Sequence, residues 1–205
     1  MSQNKQQTMP KLKNNMTEIR LHGRGGQGVV TGAELLAIAG FFSGLEGQAF
    51  PLFGVERTGA PIMAFARLSK KPIILKEQIY HPDFLIIQDN TLLNQKSVFA
   101  GISDKTLIVI NSPKNPKELA ENIFQETGIK IKEKNIFATP ATEIALRILG
   151  KNLVNTVILG AFAKASGLIN LKSLEKAIAE KFRDKGEKIV QQNINAIKEA
   201  YEKQK

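Results

Sequence analysis

The chain has 205 residues, of which 42% are hydrophobic and 23% charged, and its 29 basic and 19 acidic residues give a net charge of +10. That is ordinary globular usage, long enough to bury a core without covalent staples. The chain contains no cysteine and only two histidines, His22 and His81. A disulfide framework, a thiolate-ligated zinc, an iron–sulfur cluster held by this chain alone and a histidine-rich metal site are therefore excluded.

Residues 1–17 are polar, carry Lys5, Lys11 and Lys13, and contain no acid. A signal peptide needs an apolar core that this stretch lacks. Residues 1–16 are expected to be a disordered leader and residues 17–205 a single domain. Glu18-Ile19-Arg20-Leu21-His22 alternates polar and apolar residues and predicts a first strand. A glycine-rich turn follows, Gly23-Arg24-Gly25-Gly26-Gln27-Gly28, and then a helix over residues 29–42. That helix is apolar nearly all round, which predicts burial on both faces, and Gly44 and Gly47 are expected to end it. The apolar stretch 29–45 includes Thr31, Glu34 and Ser43 and falls short of a spanning length, so no membrane contact is expected.

Gln48-Ala49-Phe50 predicts a short second strand, and a loop runs from Pro51 to Pro61. Residues 62–68 read as a third strand, turned by Ser69-Lys70-Lys71-Pro72 into Ile73-Ile74-Leu75 as an antiparallel hairpin. Phe84-Leu85-Ile86-Ile87-Gln88 is a continuous apolar run of the kind an interior parallel strand needs. Asp89-Asn90 ends it and can cap a short helix through Leu93. Leu107-Ile108-Val109-Ile110 and Ile136-Phe137-Ala138 predict two more strands, with an amphipathic helix over 117–127 between them. Helices are predicted over 139–149, 153–166, 171–183 and 187–201. The expected fold is a Rossmann-like layered α/β/α domain with a mixed, mostly parallel sheet and a helical C-terminal part.

Gly23, Gly25 and Gly28 satisfy G-x-G-x-x-G between a strand and a helix, where backbone N–H groups can meet an anion. A nicotinamide cofactor also requires a carboxylate at the end of the second strand. That strand ends in Ala49-Phe50-Pro51, and Glu46 lies at its wrong end. Arg24 between two glycines would crowd a pyrophosphate in the usual dinucleotide pose, but can grip a phosphate from the side. The loop Phe50-Pro51-Leu52-Phe53-Gly54-Val55-Glu56-Arg57-Thr58-Gly59-Ala60-Pro61 is long enough to be functional, and Glu56 and Arg57 are its charged candidates. Asp89 stands at the ligand edge of the sheet and reads as a cap. His81 has no assigned role. No Ser–His–Asp, paired-acid or metal arrangement emerges, so catalysis by this chain alone is not expected.

The positive charge admits an acidic partner. The basic residues are nevertheless dispersed, aromatics are 6%, and Tyr80 and Tyr201 are the only tyrosines. A nucleic-acid partner is not expected from that supply of stacking groups.

Taken together, His22-Gly23-Arg24-Gly25-Gly26-Gln27-Gly28, Gln48-Ala49-Phe50-Pro51, Phe53-Gly54, Glu56-Arg57 and Gly59-Ala60-Pro61 resemble the gamma subunit, or gamma domain, of pyruvate:ferredoxin oxidoreductase and related 2-oxoacid:acceptor oxidoreductases. Gln78-Ile79-Tyr80-His81-Pro82-Asp83 and Leu159-Gly160-Ala161 fit the same pattern, and the resemblance covers residues 17–182. Thr58 departs from it, standing where a second arginine is frequent. The resemblance implies a cytoplasmic complex that converts pyruvate and coenzyme A to acetyl-CoA and CO2, passing electrons to ferredoxin. It implies alpha, beta and delta partner subunits that carry thiamine diphosphate, magnesium and [4Fe-4S] clusters. This chain is then a non-catalytic support whose Gly23, Arg24, Gly25, Gly26, Gln27, Gly28, Glu56 and Arg57 are the candidates to contact coenzyme A. The alternatives are a gamma subunit for a branched-chain 2-oxoacid, indolepyruvate or 2-oxoglutarate, or a stand-alone dinucleotide-binding oxidoreductase.

Overall fold

In the computed structural model, which describes residues 16–52 and 58–205, the alternating segment Met16–Arg24 forms β1. Ile19 and Leu21 are fully buried on one face of it. Glu18, Arg20 and His22 occupy the other, as the two-residue period of a strand dictates. Helix α1 (Val29–Phe42) carries the chain to β2 (Glu46–Pro51) at the sheet edge. β3 (Pro61–Ser69) then inserts between β2 and β1, antiparallel to both. β4 (Phe84–Ile87), β5 (Leu107–Asn111) and β6 (Ile136–Thr139) continue outward from β1 in parallel. The order is β2-β3-β1-β4-β5-β6.

Two cores flank this sheet. Phe84 and Ile86 of β4 face a cluster built with α1, α3 (Ala141–Leu149), α4 (Val154–Ser166), α5 (Leu171–Lys181) and α6 (Glu187–Lys203). Leu85 and Ile87 face a smaller cluster with α2 (Pro116–Thr127) and two 3-10 turns, Asn90–Asn94 and Lys96–Phe99. A strand buried on both faces must be apolar at every position, which is why β4 shows no alternation. α4 is the central helix, buried everywhere except Lys164 and Ala165. Gly160 makes that possible, because a β-carbon there would run into the Ile197 carbonyl of α6. Fully burying a side chain such as Phe65 or Phe162 contributes about 1.5–3 kcal/mol. An exposed ion pair such as Lys132–Asp104 contributes about 1 kcal/mol at most. The two cores hold the sheet together.

The three-layer architecture is the expected one, but three local readings are corrected. Residues 73–75 form no strand. Both edges of β3 are taken by β1 and β2, so nothing is left for them to pair with, and Ile74 is 86% exposed. Gly47 belongs to β2, packed against the Ala37 backbone, and α1 ends instead at Ser43 with Gly44 in a left-handed conformation. α5 stops at Lys181, and a 3-10 turn follows over Arg183–Lys185.

Candidate functional site

The glycine loop joins the end of β1 to the start of α1, at the sheet edge where the parallel strands end. Gly28 caps α1 with φ 69°. A β-carbon on it would lie 2.5 Å from Asn155 Nδ2. Conformation and space both demand glycine there. Gln27 braces the turn from inside: its Oε1 accepts the Arg24 backbone N–H at 2.8 Å and its Nε2 donates to Asp89 Oδ2 at 2.7 Å.

The second candidate loop is bound to the first. Gly25 N–H donates to the Ala60 carbonyl at 2.8 Å, and Gly59 N–H donates to the Gly25 carbonyl at 3.1 Å. Arg24 completes the joint. Its Nε and Nη2 donate to Thr91 Oγ1, its Nη1 donates to the Gly59 carbonyl at 3.1 Å, and its Nε lies 3.5 Å from Asp89 Oδ2. One side chain thus pins the glycine loop, residues 58–61 and the turn after β4. Glu56 and Arg57, and with them Phe53 and Gly54, lie outside the described residues.

Asp89 is the cap that its position suggests, accepting the Thr91 backbone N–H at 3.0 Å. Burial pushes its carboxyl up, but hydrogen bonds from Thr91 and Gln27 and the charge of Arg24 outweigh this and hold it below its ordinary value. It is ionised and matched. Arg24 is therefore no unpaired cation waiting for a ligand: an anion arriving at its exposed side competes with Asp89. His81 is exposed and sits beside the Gly101 carbonyl, near the opposite end of β4.

Several residues that sequence reasoning left aside gather at the same edge. Asn111, at the end of β5, donates to the Gln88 carbonyl and accepts the Thr142 backbone N–H at 3.0 Å, tying β4, β5 and the start of α3 together. A cleft of about 390 Å³ opens there, bounded by Gln27, Gln88, Asp89, Thr142 and Asn152 among others. Gln88 is fully buried and neither atom of its side-chain amide has a partner. The signal for it was its place: one step past Ile87, on the face of Phe84 and Ile86, so the strand period carries a polar group to core level. On the other face of β1, His22 is buried with Nε2 unpartnered. Burial, and then the charge of Arg20, push its pKa down to about 3, so it is neutral.

Among the described residues, no group of three His, Cys, Asp or Glu side chains is placed to hold a metal. No described helix is long and apolar enough to cross a membrane.

Comparison with known proteins bears on the chain as a whole. The family model described as pyruvate ferredoxin/flavodoxin oxidoreductase matches residues 18–203. The pyruvate/ketoisovalerate oxidoreductases common subunit gamma of Pyrococcus furiosus is 48% identical over 189 residues, which span 92% of this chain and 97% of that one. Pyruvate synthase subunit PorC of Methanosarcina barkeri is 47% identical over 163 residues, 80% of this chain and 85% of its own. The crystal structure of pyruvate oxidoreductase subunit PORC from Thermotoga maritima matches with a TM-score of 0.78 at 33% identity, covering 93% of this chain and 98% of that chain.

Proposed function

Because this chain belongs to the pyruvate ferredoxin/flavodoxin oxidoreductase family and is a gamma subunit of a multi-subunit 2-oxoacid oxidoreductase, we propose that it serves a pyruvate synthase. The assembly converts pyruvate and coenzyme A to acetyl-CoA and CO2 and passes the electrons to ferredoxin. In this reading the chain carries out no chemical step. It supports the thiamine-bearing subunits and presents its glycine-loop edge to the phosphates of coenzyme A.

The residues fit this division of labour. A chain without cysteine has no ligands for an iron–sulfur cluster. Thiamine diphosphate binds through a magnesium ion that needs converging oxygen ligands. In this reading, as in the family it resembles, that group belongs to the partner alpha and beta subunits, and the clusters to beta and delta. What this chain presents at one edge is the start of α1, which has no side-chain cap, and Arg24, which would trade part of its bonding to Thr91, the Gly59 carbonyl and Asp89 for a phosphate.

The observation that carries the reading is the joining of the two loops through Gly25, Gly59, Ala60 and Arg24. Glycine loop and Ala-Pro loop form one continuous edge, so a ligand or partner meets both at once. The test is kinetic and uses the assembled complex with all four subunits. Arg24→Ala should raise the KM for coenzyme A about tenfold, the effect of one lost charge-assisted hydrogen bond, with subunit stoichiometry unchanged. Loss of a subunit from the purified complex at unchanged KM would assign Arg24 to an interface instead.

A further inference from the structure

The sheet has two outer edges, and the chain itself closes one of them. At β6 the last residue pairs with the strand: Lys205 N–H donates to the Ala138 carbonyl at 2.9 Å, and Ala138 N–H donates back at 3.4 Å. At the other end β2 has β3 on one side and, among the described residues, no strand on the other. Register fixes what β2 presents there. Leu52 N–H donates to the Met63 carbonyl at 3.1 Å, one step beyond the pairing of Pro51 with Ala64. Antiparallel pairs alternate between bonded and non-bonded. Glu46, Gln48 and Phe50 therefore bond β3, while Gly47, Ala49 and Pro51 turn their backbone groups outward. Gly47 is exposed and Ala49 half-buried. Such a row is completed by another extended backbone, and its guards, Glu46 and Pro51, stand only at its ends.

Apolar side chains flank the row on both faces of the sheet. Gly47 packs against the Ala37 backbone of α1. Phe41 lies one turn beyond Ala37 on the same side of that helix and is 71% exposed. On the opposite face Gln48 Nε2 donates to the Leu75 carbonyl at 3.0 Å, which brings Ile74 and Leu75 beside β2. Ile74 and Phe41 are the two most exposed large apolar side chains among the described residues, and they stand on either side of the open edge. Lys70, Lys71 and Lys76 are exposed around them.

A second copy of the chain fits this edge poorly. Paired two-fold about Ala49, each Gly47 would face a Pro51 that has no N–H to return. A net charge of +10 also opposes the pairing of like with like. A different chain has neither handicap, and this one is a gamma subunit of a multi-subunit enzyme. We infer that the outer edge of β2 takes up a strand from another subunit of the complex. That strand is extended, carries an apolar side chain on each face to meet Phe41 and Ile74, and has acidic residues beside Lys70 and Lys71. The inference rests on the reading that this chain supports other subunits and is independent of any contact with coenzyme A.

Hydrogen exchange, resolved to single amides, compares the isolated full chain with the assembled complex. The amides of Gly47 and Ala49 should exchange at least tenfold more slowly in the complex, while those of Gln48 and Phe50 change little. Phe41→Gln and Ile74→Gln together alter only exposed side chains. The pair should leave the melting temperature of the isolated chain unchanged and raise at least tenfold the concentration at which the diluted complex releases it. Ala49→Pro removes the central outward N–H, spares the ladder to β3, and should act in the same direction. Equal exchange in chain and complex, or wild-type release by the double variant, would overturn the edge and leave the supporting role intact. Protection of the same amides in a dimer of the isolated chain would give the edge to a second copy instead. A tagged wild-type chain that retains no other subunit would overturn the supporting role as well.

Discussion

His22 shows how a single position sets a pH limit on the molecule. It is buried neutral, and its pKa falls from an ordinary 6.5 to about 3. The unfolded chain therefore takes up a proton near pH 6.5 that the folded chain refuses until near pH 3. Between those values the unfolded state binds more protons, so stability rises with pH and is lost as pH falls. The slope approaches about 1.4 kcal/mol per pH unit for one such group. His22→Leu should flatten the dependence between pH 6 and about 4.5, read as urea midpoints at half-unit intervals. A variant that keeps the wild-type slope would move the cause elsewhere. Asp89 acts in the same direction but further into acid, because its own pKa lies below the ordinary carboxylate value. Neither environment was legible in the sequence. Arg24, Asp89 and the glycines could each be singled out from local pattern, but the ion pair joining them links residues far apart in the chain and depends on β1 lying beside β4.

Elements were legible where burial is simple. β4 and β5 read as interior strands because both faces are covered, and α1 reads as a core helix because Thr31 and Glu34 are its only polar side chains. The hairpin after β3 failed because strand pairing is decided by which edge is free, and local pattern carries no information on that. Arg67 takes the place of the missing pairing. It has no exposed side-chain surface, is bound to Glu18 at 2.9 Å, and donates to Gln48 Oε1 and to the carbonyls of Leu75 and Glu77. Its guanidinium also lies over the Phe50 ring, 5.2 Å from the centroid. One buried cation thereby fixes the strap that leads from β3 to β4, with backbone acceptors replacing a ladder. Glu18, left behind, keeps 26% of its side-chain surface exposed, so the loss is that of a charge-assisted hydrogen bond, about 1.5–3 kcal/mol. Arg67→Met should lower stability by that order and make the strap around Ile74 the first site of limited proteolysis. Wild-type cleavage kinetics at that site would mean that the strap is held by something else.

For the whole molecule, the order of the sheet decides what the glycine fingerprint can mean. A dinucleotide fold places two mononucleotide units on parallel strands about a switch point, with an acid at the end of the second strand. Here β3 runs antiparallel between β1 and β2, and β2 ends in Pro51 at the outer edge, with Glu46 at its start. The half of the sheet that would read a ribose is absent, while the half that would meet a phosphate is intact. The sheet therefore lacks what a nicotinamide nucleoside needs, whatever anion the glycine loop meets. NADH should bind the full chain no more tightly than inorganic pyrophosphate, since the dinucleotide gains no contact beyond its phosphates. Affinity tenfold greater for NADH in parallel titrations would mean that the nucleoside is read after all, and that this edge serves hydride chemistry of its own.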